Sequence, residues 1–451
     1  MTTPQPLKRQ LGLAAVTALV VGDMVGSGVF FTPGELAALA RSSWQVYFVW
    51  GLCGVITLCG ALTLAELCSL LPRAGASFHI IREGFGPFWG FLKVWMELWV
   101  SGPGSVAGVA IVFGEYAHRA MEEGATLAPA AWGTAAILFF AAINILGVAW
   151  GGRTQIVLTT VKVAGIMALI AGGLLLAAPA ASSGVVVEVP SDGLLGFFRF
   201  AGLGVAAVLF TYDGWVDVSH VAGEVRRPER NFPLGLGLGV ASLTAIYLVV
   251  NLAYLRVVPL AAMREAPTTV ATTVASAAFG PSGGRLVNAL VLVSIFGALG
   301  GLVMTIPRLY YTLAATHREQ ARGPLRLLFG GLSRISHRTS APVGAILFTA
   351  ASAILALHFF GSFSRLVNFF VVPLQLANIL MVLSIFKLRR QRGPAPGYRT
   401  PGYPWTPIVY AVVLAGFLVS ALVFRPVETL IGLALTATGA PIYRWLERGP
   451  A

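Results

Sequence analysis

Four residues in the stretch VGDMVGSGVFFTPG (residues 21–34) could do chemistry in apolar surroundings: Asp23, Gly26, Ser27 and Gly28. Two glycines around a serine disfavour a continuous helix. A helix that restarts near Val29 presents unpaired N–H groups and the positive end of its dipole, a site suited to a carboxylate. A matching place is LFTYDGWVDVSH (residues 209–220), which carries Phe210, Thr211, Tyr212, Asp213 and Gly214. Asp-Gly favours a turn over a helix. A fragment that ends near residue 212 offers unpaired C=O groups and the negative dipole end, suited to an ammonium. One cavity with both features would hold a free α-amino acid. Asp23 either faces the substrate amine or pairs with Lys162. Asp213 either lines the pocket or caps the second fragment. Glycines also let membrane helices pack closely, so it is the pairing of the two stretches that points to a site.

These residues need apolar elements around them, and the composition supplies those elements. Of 451 residues, 57% are hydrophobic and 11% are charged, with a mean hydropathy of +0.80. So few charges could not cover a soluble surface. The apolar runs are about 20 residues long, the length a bilayer core of ~30 Å requires. The expected architecture is an all-α, multi-pass membrane protein of twelve segments: 12–40, 45–71, 86–118, 130–149, 153–179, 196–222, 234–258, 284–316, 341–360, 364–387, 405–424 and 427–446. Connections between them read as short. No secretory signal peptide, soluble domain or low-complexity tract is apparent. Irregular backbone survives at bilayer depth only where it lines a cavity or is buried in protein. Discontinuous first and sixth segments, each opening a five-helix half, point to a 5+5 inverted repeat. The divisions are a cytoplasmic N-terminus (1–11), a first repeat (12–179), a second repeat (196–391), and two appended helices with the C-terminus (404–447).

The net charge of +13 invites a nucleic-acid reading. With the N-terminus inside, however, 20 Lys and Arg fall on cytoplasmic connections against 7 outside. That bias sets both termini in the cytoplasm of a cell (inner) membrane protein and leaves no basic soluble face for nucleic acid. Cys53, Cys59 and Cys68 are odd in number and lack metal spacing, so they read as small buried hydrophobes. The six histidines show no metal spacing either. No metal or cofactor is expected. Glu66 and Glu224 lie among arginines near cytoplasmic ends and read as structural or gating ion pairs. Lys162, nine residues into the fifth segment, either snorkels to the interface or acts inside the protein.

VGSGVFFTPG (residues 25–34) resembles the glycine-rich first-helix motif of the amino acid–polyamine–organocation superfamily. Residues 209–235 are similar to the sixth helix and following loop of its L-amino-acid transporter family, 65–87 to the second helix and loop, and 294–314 to the eighth helix. The likeness runs over about residues 10 to 390. It implies a leucine-transporter-like fold with alternating access. It implies a substrate carboxylate on the N–H groups of Gly26, Ser27 and Gly28, and an amino group on carbonyls around Phe210, Thr211 and Asp213. Phe210 matches the aromatic that closes over the substrate. Lys162 falls near the place where sodium-coupled relatives hold the ion, so its ammonium would replace sodium or carry a proton. Tyr247 either matches a tyrosine that connects this lysine to the site or is an ordinary interfacial aromatic. Eukaryotic members carry a cysteine after the third helix that links a heavy-chain subunit. Residues 119–130 contain none, so no disulfide-linked partner is expected. Asp23 and Asp213 stand where many relatives have neutral residues.

The expected activity is sodium-independent transport, by exchange, of small or medium neutral L-amino acids. Ser294 and Gly297 join Phe210 and Thr211 around the substrate side chain. The alternatives are a proton-coupled symporter, a carrier of cationic amino acids or polyamines that uses Asp23 and Asp213, and a transport-inactive amino-acid sensor. An enzyme would need a catalytic pair, and broken-helix ends already account for the two aspartates. A channel would need a polar ring or filter, which the sequence lacks.

Overall fold

The computed structural model describes residues 7–447 apart from 122–126, 181–199, 201–203, 206–207, 210, 268, 361–362 and 425. The described residues are almost wholly helical. Helices α1 (Leu13–Met24) and α2 (Gly28–Leu39) together fill the first apolar segment and are bent by 41° at the break between them. They are followed by α3 (Ser43–Leu70), the short α4 (Ala76–Phe85) and α5 (Pro87–Met96). One wide π-helical turn, Glu97–Ser101, joins α5 to α6 (Gly102–Ala120). Pro103 has no N–H to close an ordinary turn, which accounts for the widening at this point. Helices α7 (Pro129–Ile145) and α8 (Val148–Ala171) follow.

The sixth apolar segment is described in part, ending in a 3₁₀ helix at Asp217–Glu224. Then come α9 (Pro228–Val257), α10 (Leu260–Glu265), α11 (Val270–Phe279), α12 (Gly283–His317), α13 (Gly323–Leu332), α14 (Val343–Phe360), α15 (Phe363–Arg392), α16 (Trp405–Phe424), α17 (Pro426–Ala437) and α18 (Gly439–Glu447). Among the described residues, seven helices are long and apolar enough to cross a membrane, eight if the bent pair is one span. Two shorter apolar helices, Pro129–Ile145 and Val343–Phe359, lie near the length limit. The last expected segment is divided at Thr438, where Gly439 and Pro441 disfavour an unbroken helix. Three connections expected to be short hold helices of their own, α4 in one, α10 with α11 in another and α13 in the third.

The broken pair sits at the centre. Helix α1 packs on α8, α9 and α12, and α3 lies along α9. One apolar core gathers around α1, α3 and α9. A second gathers around α5–α7, α12 and α14. The site lies between these two bodies. The N-terminal segment is strapped to the end of the 3₁₀ helix. Gln10 and Leu11 donate their N–H groups to Glu224 O (2.8 and 2.9 Å), and Arg226 N–H returns to Leu11 O (2.8 Å). Beside this strap, Glu224 pairs with the fully buried Arg308 (2.8 Å). Glu66, also buried, accepts from Arg389 and from Thr400.

Candidate substrate site

The break in the first segment is built from the backbone outward. Helix α1 stops because Gly26 N–H bonds to Met24 O (3.1 Å), two residues back, in place of Gly22 O. Helix α2 restarts when Phe30 N–H reaches Ser27 O (3.0 Å). The carbonyls freed by this change find side chains. Lys162 Nζ donates to Gly22 O (2.7 Å), Val25 O (2.9 Å) and Ser294 O (3.2 Å). Ser294 Oγ lies 3.0 Å from both Val25 O and Gly26 O. Tyr247 Oη donates to Met24 O (3.1 Å) and approaches Thr211 O (3.4 Å). Lys162 is fully buried, and its nitrogen reaches the middle of the bundle instead of the interface. The carbonyls of Gly22, Met24, Val25 and Gly26 therefore each have a partner on α8, α9 or α12. The N–H side of the break is open, and Gly26, Ser27 and Gly28 line a cavity. Gly28 is required there: a Cβ on it would stand 2.5 Å from Thr211 Oγ1.

The second break faces the first. Tyr212 N–H closes the last helical turn on Val208 O and Leu209 O (3.1 Å each), and the chain then turns through residues 212–216. Gly214 has φ +108°, and a Cβ on it would meet the Asp23 backbone at 2.9 Å, so glycine answers both demands. The 3₁₀ helix begins after Val216 with no side-chain cap. Asp213 therefore does not cap it and instead lines the cavity, three residues too early in the chain to reach the first N–H groups. Thr211 also lines the cavity, and its hydroxyl is 2.8 Å from that of Thr32. Tyr212 packs behind the break: its ring meets Trp50 and Tyr247, and its hydroxyl donates to Trp50 O. Phe210 lies outside the described residues.

The cavity measures about 160 Å³. Its apolar walls include Val109 and Val112 of α6, Ile295, Ala298 and Leu302 of α12, and Leu374 of α15. Asp23 lines it as well. Of the two readings of Asp23, the ion pair with Lys162 is not formed, because carbonyls take the lysine's donors. Asp23 Oδ1 instead accepts from Gln155 Nε2 (3.2 Å), which also donates to Gly297 O (3.0 Å). Asp23 Oδ2 has no hydrogen-bond partner.

Sequence reasoning missed one wall. Lys93 and Glu97 both line the cavity and pair at 2.6 Å, with Ser101 Oγ adding a bond of 2.9 Å to the same carboxylate oxygen. Asp217 lines it too, with His220 Nδ1 3.7 Å from its Oδ1. A signal was present: Lys93, Glu97 and Ser101 recur every four residues, which puts them on one helix face, and two of them are charged inside an apolar run. Ser294 contacts the break itself through the bonds described above, and Gly297 holds Gln155.

Comparison with known proteins agrees with this geometry. A family described as amino acid permease matches residues 11–442. The chain is 30% identical to the serine/threonine exchanger SteT of Bacillus subtilis, over all of this chain and 99% of the relative. It is 28% identical to human b(0,+)-type amino acid transporter 1, over 86% of this chain and 77% of that protein. With human cystine/glutamate transporter the identity is 27%, over 97% and 85%. These relatives are transporters. The chain belongs to the amino acid permease family of the amino acid–polyamine–organocation superfamily, with the leucine-transporter-like helical fold of that group.

Proposed function

We propose that the protein is a sodium-independent exchanger of small or medium neutral L-amino acids that works by alternating access. One observation carries the sodium independence: Lys162 Nζ is held by the carbonyls of Gly22, Val25 and Ser294. An ammonium there takes the oxygen ligands that an alkali cation would need, so the break keeps its shape without sodium. Exchange is the activity that the Bacillus relative, a serine/threonine exchanger, is named for, and the proposal extends it to this chain.

The substrate carboxylate would rest on the N–H groups of Gly26, Ser27 and Gly28, where the dipole of α2 favours negative charge. Its ammonium would rest on the carbonyl end at Thr211, within reach of Asp23. Cavity volume supports the size class. About 160 Å³ compares with the ~150 Å³ cavity that takes a benzene ring, enough for a side chain up to about the size of leucine against the apolar wall. For release, the strap of Gln10 and Leu11 on Glu224 and the Glu224–Arg308 pair would separate on the cytoplasmic side. The repeats 12–179 and 196–391 would move against one another. The protein would sit in the cell membrane with both termini cytoplasmic, working without a disulfide-linked subunit.

The test is uptake of labelled alanine, serine, leucine and arginine into sodium-free proteoliposomes, with and without unlabelled amino acid inside. Uptake that needs internal amino acid and ignores sodium is expected. Uptake into empty vesicles that follows an imposed sodium gradient would sink the proposal. A second reading has an observation of its own. Asp23, Asp213 and Asp217 all face the cavity, and carboxylates there suit a cationic amino acid. Strong competition by arginine and none by leucine would favour that reading. Binding without any flux would favour a sensor.

A further inference from the structure

Charges in the cavity wall do not balance. Lys93 is matched by Glu97 at 2.6 Å. Lys162 stands behind the break and spends its three donors on carbonyls. That leaves Asp23, Asp213 and Asp217 facing the cavity, with no lysine or arginine within ion-pair distance of any of them among the described residues. One further group approaches Asp217. His220 is 1% exposed, and neither ring nitrogen has a hydrogen-bond partner, although Nδ1 stands only 3.7 Å from Asp217 Oδ1. A buried imidazole without any partner is costly. So is an ionised carboxylate that loses its water to an arriving apolar guest. A single proton shared between the two groups relieves both costs.

We infer that Asp217 and His220 form a proton-binding site in the cavity wall, loaded when a neutral amino acid enters. The inference rests on the amino-acid exchange reading above and adds a second cargo to it. The proton comes from water in the open cavity and sits between Asp217 Oδ1 and His220 Nδ1. It returns to water when the substrate leaves on the other side. Only O–H and N–H bonds change. Closing the gap from 3.7 Å to the ~2.8 Å of a charge-assisted hydrogen bond needs a movement of less than one carbon–carbon bond length. The short 3₁₀ helix that carries both residues, three apart and so one 3₁₀ turn from each other, is the element that would tighten.

The surroundings select this pair from the other charged groups. Across the cavity, Glu97 is already neutralised by Lys93 and held by Ser101. On α1, Asp23 accepts from the neutral amide of Gln155, which offers no second base to share a proton. At the far end of the 3₁₀ helix, Glu224 has Arg308 from α12, and on α3 Glu66 has Arg389. Helix α4 also packs against the 3₁₀ helix and brings His79 and Arg82. Asp213 lies four residues earlier, in the turn that precedes the 3₁₀ helix.

The experiment measures protons directly. Titrate purified, full-length protein in detergent with L-serine, L-leucine and L-arginine by calorimetry in buffers of different ionisation enthalpy. Normalise each result to the labelled amino acid bound in the same sample. Wild type should take up about one proton per neutral amino acid bound, the count for one loaded site. Asp217→Asn and His220→Gln should each bring that count close to zero per molecule bound. Bound neutral amino acid with no proton taken up by wild type would overturn the inference and leave the exchange reading standing. A full count retained in both variants would also overturn it, by placing the proton elsewhere. If none of the three amino acids binds, the exchange reading fails and takes this inference with it. The wild-type count stands by itself if a variant does not fold.

Discussion

Lys162→Met is the perturbation that most exposes the argument. It keeps the length of the side chain and removes its charge and three donors. The cost can be worked carbonyl by carbonyl. Ser294 O lies inside the unbroken α12 and keeps its helical partner. Val25 O keeps Ser294 Oγ at 3.0 Å. Gly22 O keeps nothing, because Gly26 N–H has turned to Met24 O. An orphaned buried acceptor costs about 1–3 kcal/mol, and a lost charged hydrogen bond is worth about 1.5–3 kcal/mol. Allowing for overlap of these terms, the break should lose about 2–3 kcal/mol of its preference for the present shape. At 1.4 kcal/mol per tenfold, that is about 30–150-fold in apparent affinity if the whole cost falls on the substrate-ready form. The assay is exchange of labelled amino acid in sodium-free proteoliposomes, with KM and maximal rate determined separately and Tm recorded in detergent. A raised KM with a folded protein is expected. Wild-type KM and rate without sodium would refute the claim that this ammonium holds the break in place of a cation.

Three further outcomes follow from the geometry. Ser27→Pro removes one N–H from the open side of the break, so amino-acid binding in detergent should fall at least ~10-fold, the scale of one charge-assisted hydrogen bond; unchanged binding would remove the carboxylate site from this helix end. Arg308→Met leaves Glu224 charged and alone in a buried place, which should cost about 3–5 kcal/mol and appear as a lower Tm; the double variant Glu224→Leu with Arg308→Met should recover part of that loss, and a double variant as unstable as the single would show that packing, not charge, is at stake. His79, on α4 outside the spanning segments, is lowered to about 4 by burial, with Arg73 and Arg82 adding to the effect. The unfolded state therefore binds the proton first. This contribution is complete above pH ~6.5 and is lost as pH falls toward 4, up to roughly 3 kcal/mol; the Tm difference between wild type and His79→Gln should shrink over that window, and a difference independent of pH would count against the buried neutral imidazole.

What the sequence made legible follows from the physics each feature obeys. Apolar length reports on the bilayer directly, so α3, α9 and α16 stood out. Breaks at Gly26–Gly28 and Asp213–Gly214 were readable because glycine at bilayer depth carries a backbone message. A sequence does not show which way a polar side chain turns. Lys162 had two readings that differ only in direction, and three freed carbonyls decide between them. Asp213 had the composition of a cap and the position of a wall residue; the cap failed because the turn runs on to Val216 before the 3₁₀ helix begins. Lys93 and Glu97 went unnoticed for the opposite reason. Their four-residue spacing looks like an ordinary surface pair, and only the packing of α5 and α6 against α12 turns that face inward, where the pair neutralises itself and leaves Asp217 to find its positive charge elsewhere. The unpaired carboxylates thus become visible only after each cation has been assigned a partner in space. That assignment is what moves the question from which amino acid the cavity takes to which charge accompanies it.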